Sequence, residues 1–439
     1  MNNDCNTARP LVMHIDLNSC FATVEQQARP QLRGRPVGIV NRATDQTSIV
    51  TASYEAKAMG VKLGMKLRDA RKLCPTLVGI ESDPPKYRYV YHKLMAIMSD
   101  YSPHFTMKSI DEGVIDFAQS PASIRERNLV EVGQEIKRRL REEIGRAMRC
   151  NIGIAPNRFL AKTAASLHKP DGLDIITHEN LRATLLDLSL QDLTGIASRN
   201  EHRLNAVGIY TPLQMLDADR ATLRLAFKSV VGDWWYQRLR GWEVDDVQYD
   251  MKSCGRQYVI ERRELPRSDV LQRLHHLVES VGTKLRSQGK SARGVGVYAR
   301  LYAASTPGEA TNGRWGRRGN YWHETYLAPL PFYTNQAIWE IARRLFEHVP
   351  NGDIREIGVH CYHLHDGADR QLVLFGDQFV REQQVTWAID EVNNRWGERT
   401  IHSADTLGTG IYVKQKIPFG STRYLRTELK TFATSLEVS

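Results

Sequence analysis

Three acidic residues stand beside short apolar runs, where a folded chain would hold them rigidly. Asp16 ends the run over residues 11–16, and Asp111 and Glu112 stand between two further apolar runs. Any one carboxylate in such a place is usually an ordinary turn or strand-end residue. Three that converge at one edge of a sheet, however, are what two Mg²⁺ ions about 4 Å apart require, and such ions promote phosphoryl transfer. The chain has no Walker A loop that would indicate an ATPase.

The apolar periodicity predicts the elements that position these residues. Short apolar runs predict strands over 11–16, 36–40, 47–50, 104–110, 114–117 and 150–154, with a tight turn over 111–113. Helical spacing predicts helices over 21–27, 53–59, 87–101 and 126–148. Short helices follow over 177–246, broken at Gly195, Gly208 and Gly232. Beyond a polar connection, strands over 293–303 and 357–364 alternate with helices over 271–288 and 335–348.

The composition favours a multidomain protein with a moderate preference for acidic partners. A chain of 439 residues is longer than one hydrophobic core usually serves, so about two to four domains are expected. The formal charge is +10, which favours nucleic acid only slightly over an ordinary solvated surface. Its 6 cysteines form no Cys-x-x-Cys pair, which argues against structural zinc and a disulfide scaffold. Without an apolar run of about 20 residues or a signal peptide, we expect a cytoplasmic protein that does not engage a membrane.

Five motifs occur in order over residues 14–172. They read HIDLNSCFA at 14–22, TASYEAK at 51–57, SIDE at 109–112, GIAPNRFLAK at 153–162 and KPDG at 169–172. In type and order they resemble the motifs of Y-family translesion DNA polymerases, and weaker similarity covers most of the remaining chain. The resemblance implies a multidomain α/β and α+β fold, a right hand with palm, small fingers, helical thumb and C-terminal little finger.

The same resemblance implies domain boundaries. The palm is expected over 1–26 and 86–176, the fingers over 27–85, the thumb with its helix-hairpin-helix over 177–244, a linker over 245–251, the little finger over 252–369 and a tail with a clamp-binding peptide over 370–439.

The resemblance also implies roles at the active site. Asp16, Asp111 and Glu112 match the catalytic metal ligands, joined by the Leu17 carbonyl, and two Mg²⁺ ions are the expected cofactors. The residues expected to hold the incoming deoxynucleoside triphosphate are Thr51, Tyr54, Lys57 and Lys169. Phe21 matches the steric gate that rejects ribonucleotides, although a helix Phe is otherwise more often a core residue. The polymerase IV type normally has Arg at the position of Lys57, and Lys cannot form the planar fork of Arg.

Other segments match sites for DNA and for the sliding clamp. Gly195 and Gly208 belong to the helix-hairpin-helix that grips the duplex backbone, and Ala197 stands where a second glycine is common. The little finger is expected to supply a basic groove through Arg256, Arg293, Arg300 and Arg317, with Arg262, Arg263, Arg314 and Arg318 as further candidates. The clamp-binding peptide is formed by Gln371, Leu372, Leu374 and Phe375. The amphipathic segment 387–397 either binds a protein partner or folds back on the body.

The predicted function is DNA-templated DNA synthesis of low fidelity past damaged bases, by two-metal-ion nucleotidyl transfer. The expected partners are primer–template DNA, deoxynucleoside triphosphates and the sliding clamp. A catalytically inactive scaffold that binds clamp and DNA is the alternative, and a metal-dependent nuclease would need the same carboxylates but no steric gate. The branch stays open, because Tyr54 and the KPDG motif favour a polymerase IV type, whereas Asn18, Lys57 and the tail favour a UmuC type that needs an activating subunit.

Overall fold

The structure of the chain is a computed structural model that describes residues 4–247, 250–302, 320–366 and 377–413, with side chains omitted for 377–380. These residues form two compact units, one within 4–247 and one within 250–413. Within the described ranges, no helix combines the length and apolar character needed to cross a bilayer.

The first unit contains both strands and helices. In chain order they are β1 (Val12–Leu17), α1 (Cys20–Ala28), β2 (Val37–Val40), β3 (Ile49–Ala52), α2 (Tyr54–Ala58), α3 (Leu67–Leu73), β4 (Val78–Glu81), α4 (Pro84–Ser99), β5 (Phe105–Met107), β6 (Glu112–Asp116), α5 (Ala122–Arg125), α6 (Leu129–Glu143), β7 (Cys150–Ala155), α7 (Arg158–Leu167), β8 (Leu173–Ile175), α8 (Leu181–Leu186), α9 (Ser198–Asn205), α10 (Pro212–Asp217), α11 (Arg220–Phe227) and α12 (Val231–Leu239).

A five-stranded sheet is centred on β1, in the order β5-β6-β1-β7-β8. Strand β1 pairs antiparallel with β6 and β7, while β8 runs parallel to β7. Met13, Ile15 and Leu17 of β1 are almost fully buried, as expected for a central strand with an apolar sequence. Helix α7 packs on β1 and β7. An added Cβ at Gly153 of β7 would lie 2.0 Å from the Ala161 carbonyl oxygen, so only glycine lets α7 come this close.

The connection between β5 and β6 differs from the sequence prediction. The predicted turn over 111–113 is wrong, because Glu112 and Gly113 already belong to β6. The Lys108 and Ser109 N–H groups both donate to the Glu112 carbonyl, at 2.9 and 3.2 Å, which closes the connection before the strand begins. Glu112 therefore lies in the sheet register and not in a loop.

Two further layers complete the first unit. A small sheet in the order β3-β2-β4 shares a core with α2 and α3. Helices α8 to α12 share another core with α7, built around Leu185, Leu204 and Trp235. The predicted helix break near Gly232 lies at residues 228–230, and Gly232 itself is the second residue of α12. An added Cβ there would lie 2.5 Å from the backbone of Leu223, so the glycine permits close packing of α12 on α11.

The second unit is an antiparallel sheet covered by helices. Its elements are β9 (Ser253–Val259), α13 (Arg267–Arg286), β10 (Lys290–Leu301), β11 (Tyr321–Phe332), α14 (Asn335–Glu347), β12 (Ile354–Asp366) and α15 (Asp377–Trp396). The strand order is β11-β10-β12-β9, and every pairing is antiparallel. Helices α13 and α14 pack on one face of the sheet, where Leu274, Val297, Trp322 and Phe346 contribute to the core.

Residues 377–413 fold back on the second unit. Arg286 of α13 donates to both carboxylate oxygens of Asp390 on α15, at 2.6 and 2.7 Å. Arg399 forms an ion pair with Glu279 of α13, and Val413 is buried in the core of the unit. Of the two alternatives for segment 387–397, the structure therefore has the helix packed on the body.

Candidate active site

The three predicted metal carboxylates lie at the same end of the five-stranded sheet. Asp16 of β1 and Glu112 of β6 are direct register partners. Asp111 immediately precedes β6, and its carbonyl accepts from the Leu17 N–H at 2.9 Å. The Ser109 hydroxyl donates to the Asp111 carboxylate and accepts from the Glu112 N–H at 3.1 Å, which fixes the residues before the strand. Strand pairing thus brings together residues that are almost a hundred positions apart.

The environments of the two neighbouring carboxyls push their pKa values in opposite directions. Burial raises the pKa of Asp111, and the charges of Asp16 and Glu112 raise it further. Burial alone would also raise the pKa of Glu112, but hydrogen bonds from His14 and Lys162 outweigh it and lower the value to about 2. Lys162 Nζ lies 2.8 and 3.0 Å from the two Glu112 carboxylate oxygens, and His14 Nε2 lies 3.3 Å away. Glu112 is therefore held as an ionised carboxylate.

Three of the four residues that are predicted to bind the triphosphate lie near Asp16. Lys169 forms an ion pair with the Asp16 carboxylate. Lys57 donates to the Ser19 hydroxyl at 2.8 Å and lies over the Tyr54 ring, 4.5 Å from its centroid. Burial and then the Lys169 charge lower the pKa of Lys57, while burial and then the Asp16 charge raise the pKa of Tyr54.

Thr51 is half-buried on β3, where it pairs with Ile39 of β2.

The three carboxylates form ion pairs with lysines or a hydrogen bond with a serine hydroxyl. Within the described residues, no group of three or more His, Cys, Asp or Glu side chains is arranged so that it could hold a metal ion. Asp16 pairs with Lys169, Glu112 with Lys162, and Asp111 with Ser109. Their placement at one sheet end nonetheless fits a divalent cation. Burial and then the charges of Asp16 and Glu112 raise the pKa of Asp111, and a bound cation would offset the repulsion between these carboxylates.

Several residues of this site have no role assigned by sequence reasoning. Lys162 and His14 both lie inside recognised motifs, so the signal was present, but nothing in the spacing connects them with Glu112. Asn18 donates to Asn151 at 2.9 Å and accepts from the Asp171 N–H at 2.7 Å. This contact ties the start of α1 to the loop that carries Lys169, and no local pattern could have identified it.

Phe21 lies in the first turn of α1 and is only 3% exposed. Its ring stacks on Tyr87 of α4, with centroids 4.2 Å apart and 8° between the planes. In the adjacent residue Cys20, burial and then the charges of Asp111 and Asp16 raise the pKa of the thiol well above its usual value. The first turn of α1 therefore borders the site, and the Phe21 ring is packed as tightly as a core residue.

The residues predicted to bind DNA lie in both units, two glycines beside α9 in the first unit and the arginines in the second. Gly195 and Gly208, with φ of 102° and 83°, flank α9, whose first residue follows Ala197. In the second unit, Arg256 shares a strand face with the buried residues Cys254 and Tyr258, so it lies on the side covered by helices, and burial lowers its pKa.

Two other arginines of the second unit have identified partners. Arg300 is exposed on the opposite sheet face and lies 3.5 Å from Glu356. Arg293 donates to the Ala328 carbonyl at 3.1 Å. Arg256 and Arg300 therefore lie on opposite faces of the sheet. A single basic groove that contains both residues, as expected from the sequence, does not fit this arrangement.

Several predicted contacts lie outside the described residues. They are Arg317, with Arg314 and Arg318, and the clamp-binding peptide with Gln371, Leu372, Leu374 and Phe375.

Comparison with known proteins identifies relatives along both units. Residues 15–166 match the impB/mucB/samB family, and residues 251–374 match the C-terminal domain of the same family. A DNA polymerase IV from Moorella thermoacetica is 32% identical, over 94% of this chain and 98% of that protein. DNA polymerase IV 1 from Bacillus subtilis is 27% identical, over 90% of this chain and 93% of that protein.

Solved structures show the same fold. A Y-family DNA polymerase chimera aligns with a TM-score of 0.66 at 21% identity, covering 81% of this chain and 99% of that one. DinB from Sulfolobus solfataricus aligns with a TM-score of 0.51 at 21% identity, covering 80% and 98%. The predicted right-hand polymerase fold is confirmed by these neighbours. Both family matches and the relative at 32% identity lead to the same conclusion: the chain belongs to the Y family of DNA polymerases and is a DNA-directed DNA polymerase of low-fidelity translesion synthesis.

Proposed function

We propose that Asp16, Asp111 and Glu112 form the catalytic centre for primer extension. The observation that carries this proposal is the register pairing of Asp16 with Glu112, with Asp111 adjacent, at one end of the central sheet. Enzymes of this family depend on divalent metal. We assign two Mg²⁺ ions to these carboxylates and the Leu17 carbonyl, and primer–template DNA and deoxynucleoside triphosphates as the substrates.

The chain's own residues prepare this reaction by charge and position. His14 and Lys162 keep Glu112 ionised at neutral pH, so that it is available as a cation ligand. Lys57 and Lys169, close to Asp16, would bind the triphosphate oxygens with the Tyr54 hydroxyl. When bound, the metal ions would activate the primer 3′-hydroxyl and neutralise charge on the triphosphate.

Sugar selection is assigned to Phe21. Its position in the turn after Asp16, beside the carboxylates, supports a role in which the ring occupies the volume of a ribose 2′-hydroxyl. The tight packing of Phe21 is as consistent with this role as with a core role, because the ring can exclude a ribonucleotide only if it cannot move away from the 2′-hydroxyl.

We assign the five-stranded sheet to the palm, the β3-β2-β4 sheet to the fingers, α8 to α12 to the thumb and the sheet of the second unit to the little finger. The boundaries are those expected from the sequence. Gly195 and Gly208 would contact the duplex backbone, and Arg300 and Arg317 the phosphates. Residues 371–375 would bind a sliding clamp. The relatives from Moorella thermoacetica and Bacillus subtilis are named DNA polymerase IV and DNA polymerase IV 1, which supports a self-sufficient enzyme of that branch.

The test is primer extension by the purified full chain with Mg²⁺, on an undamaged template and on one with an abasic site. We expect extension on both by the natural chain and none by an Asp111→Ala/Glu112→Ala variant. Glu142→Ala is the matched control, since it removes an exposed carboxylate from the surface of α6. Near-natural extension by the double variant would refute the assigned centre.

The inactive scaffold is the alternative outcome. If the natural chain fails to extend primers yet binds primer–template DNA, with or without added clamp and candidate subunits, the scaffold is supported. Extension that appears only after a partner subunit is added would support the UmuC type.

A further inference from the structure

The contacts around Phe21 extend beyond the ring itself. Phe21 on α1 is covered by Tyr87 on α4, and Tyr87 is fully buried. We propose that Tyr87 is a positioning residue for sugar selection, which holds the Phe21 ring in place, and that Glu25 in turn positions Tyr87. This inference rests on the proposed role of Phe21 as the gate.

The ring stack limits how Phe21 can move. With centroids 4.2 Å apart and planes only 8° from parallel, the two rings share a broad face. Because α1 and α4 also pack on each other, a shift of the Phe21 ring away from the nucleotide would have to displace Tyr87. A steric clash with a 2′-hydroxyl costs free energy only if the ring cannot yield, so the stack determines how strongly ribonucleotides are rejected.

Hydrogen bonds and ion pairs to the buried Glu25 carboxylate hold Tyr87. The Tyr87 hydroxyl donates to Glu25 at 3.1 Å, and Glu25 is fully buried one helical turn after Phe21 on the same helix. Lys86 Nζ donates to the second Glu25 carboxylate oxygen at 3.2 Å, and Arg29 lies 3.7 Å away.

These contacts also fix the protonation of the tyrosine. Burial raises the pKa of Tyr87 and the charge of Glu25 raises it further, so the hydroxyl stays protonated as a donor. The buried Glu25 carboxylate needs hydrogen-bond donors, one of which is the Tyr87 hydroxyl. Glu25 therefore holds Tyr87 in position, and Tyr87 holds Phe21.

The experiment measures kcat/KM for single insertion of a deoxynucleotide and of the matching ribonucleotide by the full chain. We expect Tyr87→Leu to lower the ratio of the two on the order of tenfold, the size of coupling between contacting side chains. Tyr87→Phe, which keeps the stack and loses the hydroxyl, should lower it less, and Glu25→Gln should behave like Tyr87→Phe. The decisive result is the Phe21→Ala/Tyr87→Leu pair, whose ratio should equal that of Phe21→Ala alone.

The matched control is Tyr101→Leu. Tyr101 is also a buried tyrosine whose hydroxyl donates to a glutamate, Glu135, at 2.8 Å, so its loss should destabilise the fold without changing the ratio. If Phe21→Ala leaves the ratio unchanged, the proposed gate is wrong. If Phe21→Ala lowers it and Tyr87→Leu does not, only the positioning inference is wrong. Should Tyr87→Leu fail to fold, unchanged ratios in Tyr87→Phe and Glu25→Gln would overturn the inference.

Discussion

Asp111 occupies a position that destabilises the fold. Burial and two neighbouring carboxylates raise its pKa, so the folded chain binds its proton more tightly than the unfolded chain does. The destabilisation is absent at a pH below the unfolded value of 3.8, where the group is protonated in both states. It grows as pH rises from that value towards the raised pKa of the folded state, and is fully present above it. Glu112 contributes in the opposite sense, because its pKa is lowered.

Asp111→Asn should therefore stabilise the protein while abolishing extension. In metal-free buffer at pH 7, we expect the free energy of unfolding to rise, and the gain to vanish near pH 3, where both states are protonated. Urea unfolding at the two pH values measures this effect. Asp100→Asn is the control, since Asp100 is exposed and pairs with Arg139 at 2.7 Å, so it should give no gain. A loss of stability by Asp111→Asn at pH 7 would contradict the account.

Helix α13 shows at the scale of an element how the C-terminal segment becomes part of the second unit. Glu279 is buried on α13 and accepts from the Ser403 N–H at 2.7 Å and the Thr406 hydroxyl at 3.1 Å, besides its ion pair with Arg399. These partners all come from residues 397–413. The buried carboxylate and the segment therefore depend on each other for hydrogen bonds.

We expect Glu279→Ala to destabilise the second unit by about 3 kcal/mol, because it leaves the buried donors of the C-terminal segment without an acceptor. Hydrogen exchange followed by mass spectrometry, resolved to peptides from α13 and from 397–413, measures the change. Glu347→Ala removes an exposed glutamate from the end of α14 and serves as the control. Unchanged protection in the Glu279 variant would show that the segment does not depend on this residue.

At the scale of the whole molecule, we expect the positive charge of the chain to contribute to DNA binding. The chain carries a net charge of +10, and phosphate contacts make affinity fall with salt in proportion to the number of contacts. Arg300 and Arg256 were both expected in the basic groove, yet only Arg300 is exposed on the open sheet face. The two residues therefore offer a direct test of which face contacts DNA.

Arg300→Ala should weaken duplex binding equally for different sequences and reduce the slope of log K against log salt by about 1. Arg256→Ala should leave that slope unchanged, because its side chain lies on the side covered by helices. Fluorescence anisotropy with labelled primer–template over a range of salt concentrations measures both. Equal slopes for Arg300→Ala and the natural chain would exclude this face.

The sequence by itself determined the family and most elements of the fold. Apolar runs predict strands such as β1, because the pattern of buried residues along a strand is a local property of the sequence. The family was identified from the order of the five motifs. Asp16 was placed at the end of its strand correctly for the same reason. Glu112, in contrast, was assigned to a turn, since the hydrogen bonds that extend β6 depend on a partner strand far away in sequence.

Only the tertiary structure determined which side chains from distant parts of the sequence contact one another. The bonds from His14 and Lys162 to Glu112, the contact of Asn18 with Asn151 and the stack of Phe21 on Tyr87 join residues that no periodicity relates. The burial of Arg256 depends on which strand face the helices cover, and the docking of residues 377–413 depends on polar partners presented by α13. Residue types and spacing determine local elements, whereas register, packing and charge pairing arise only when distant segments share one core.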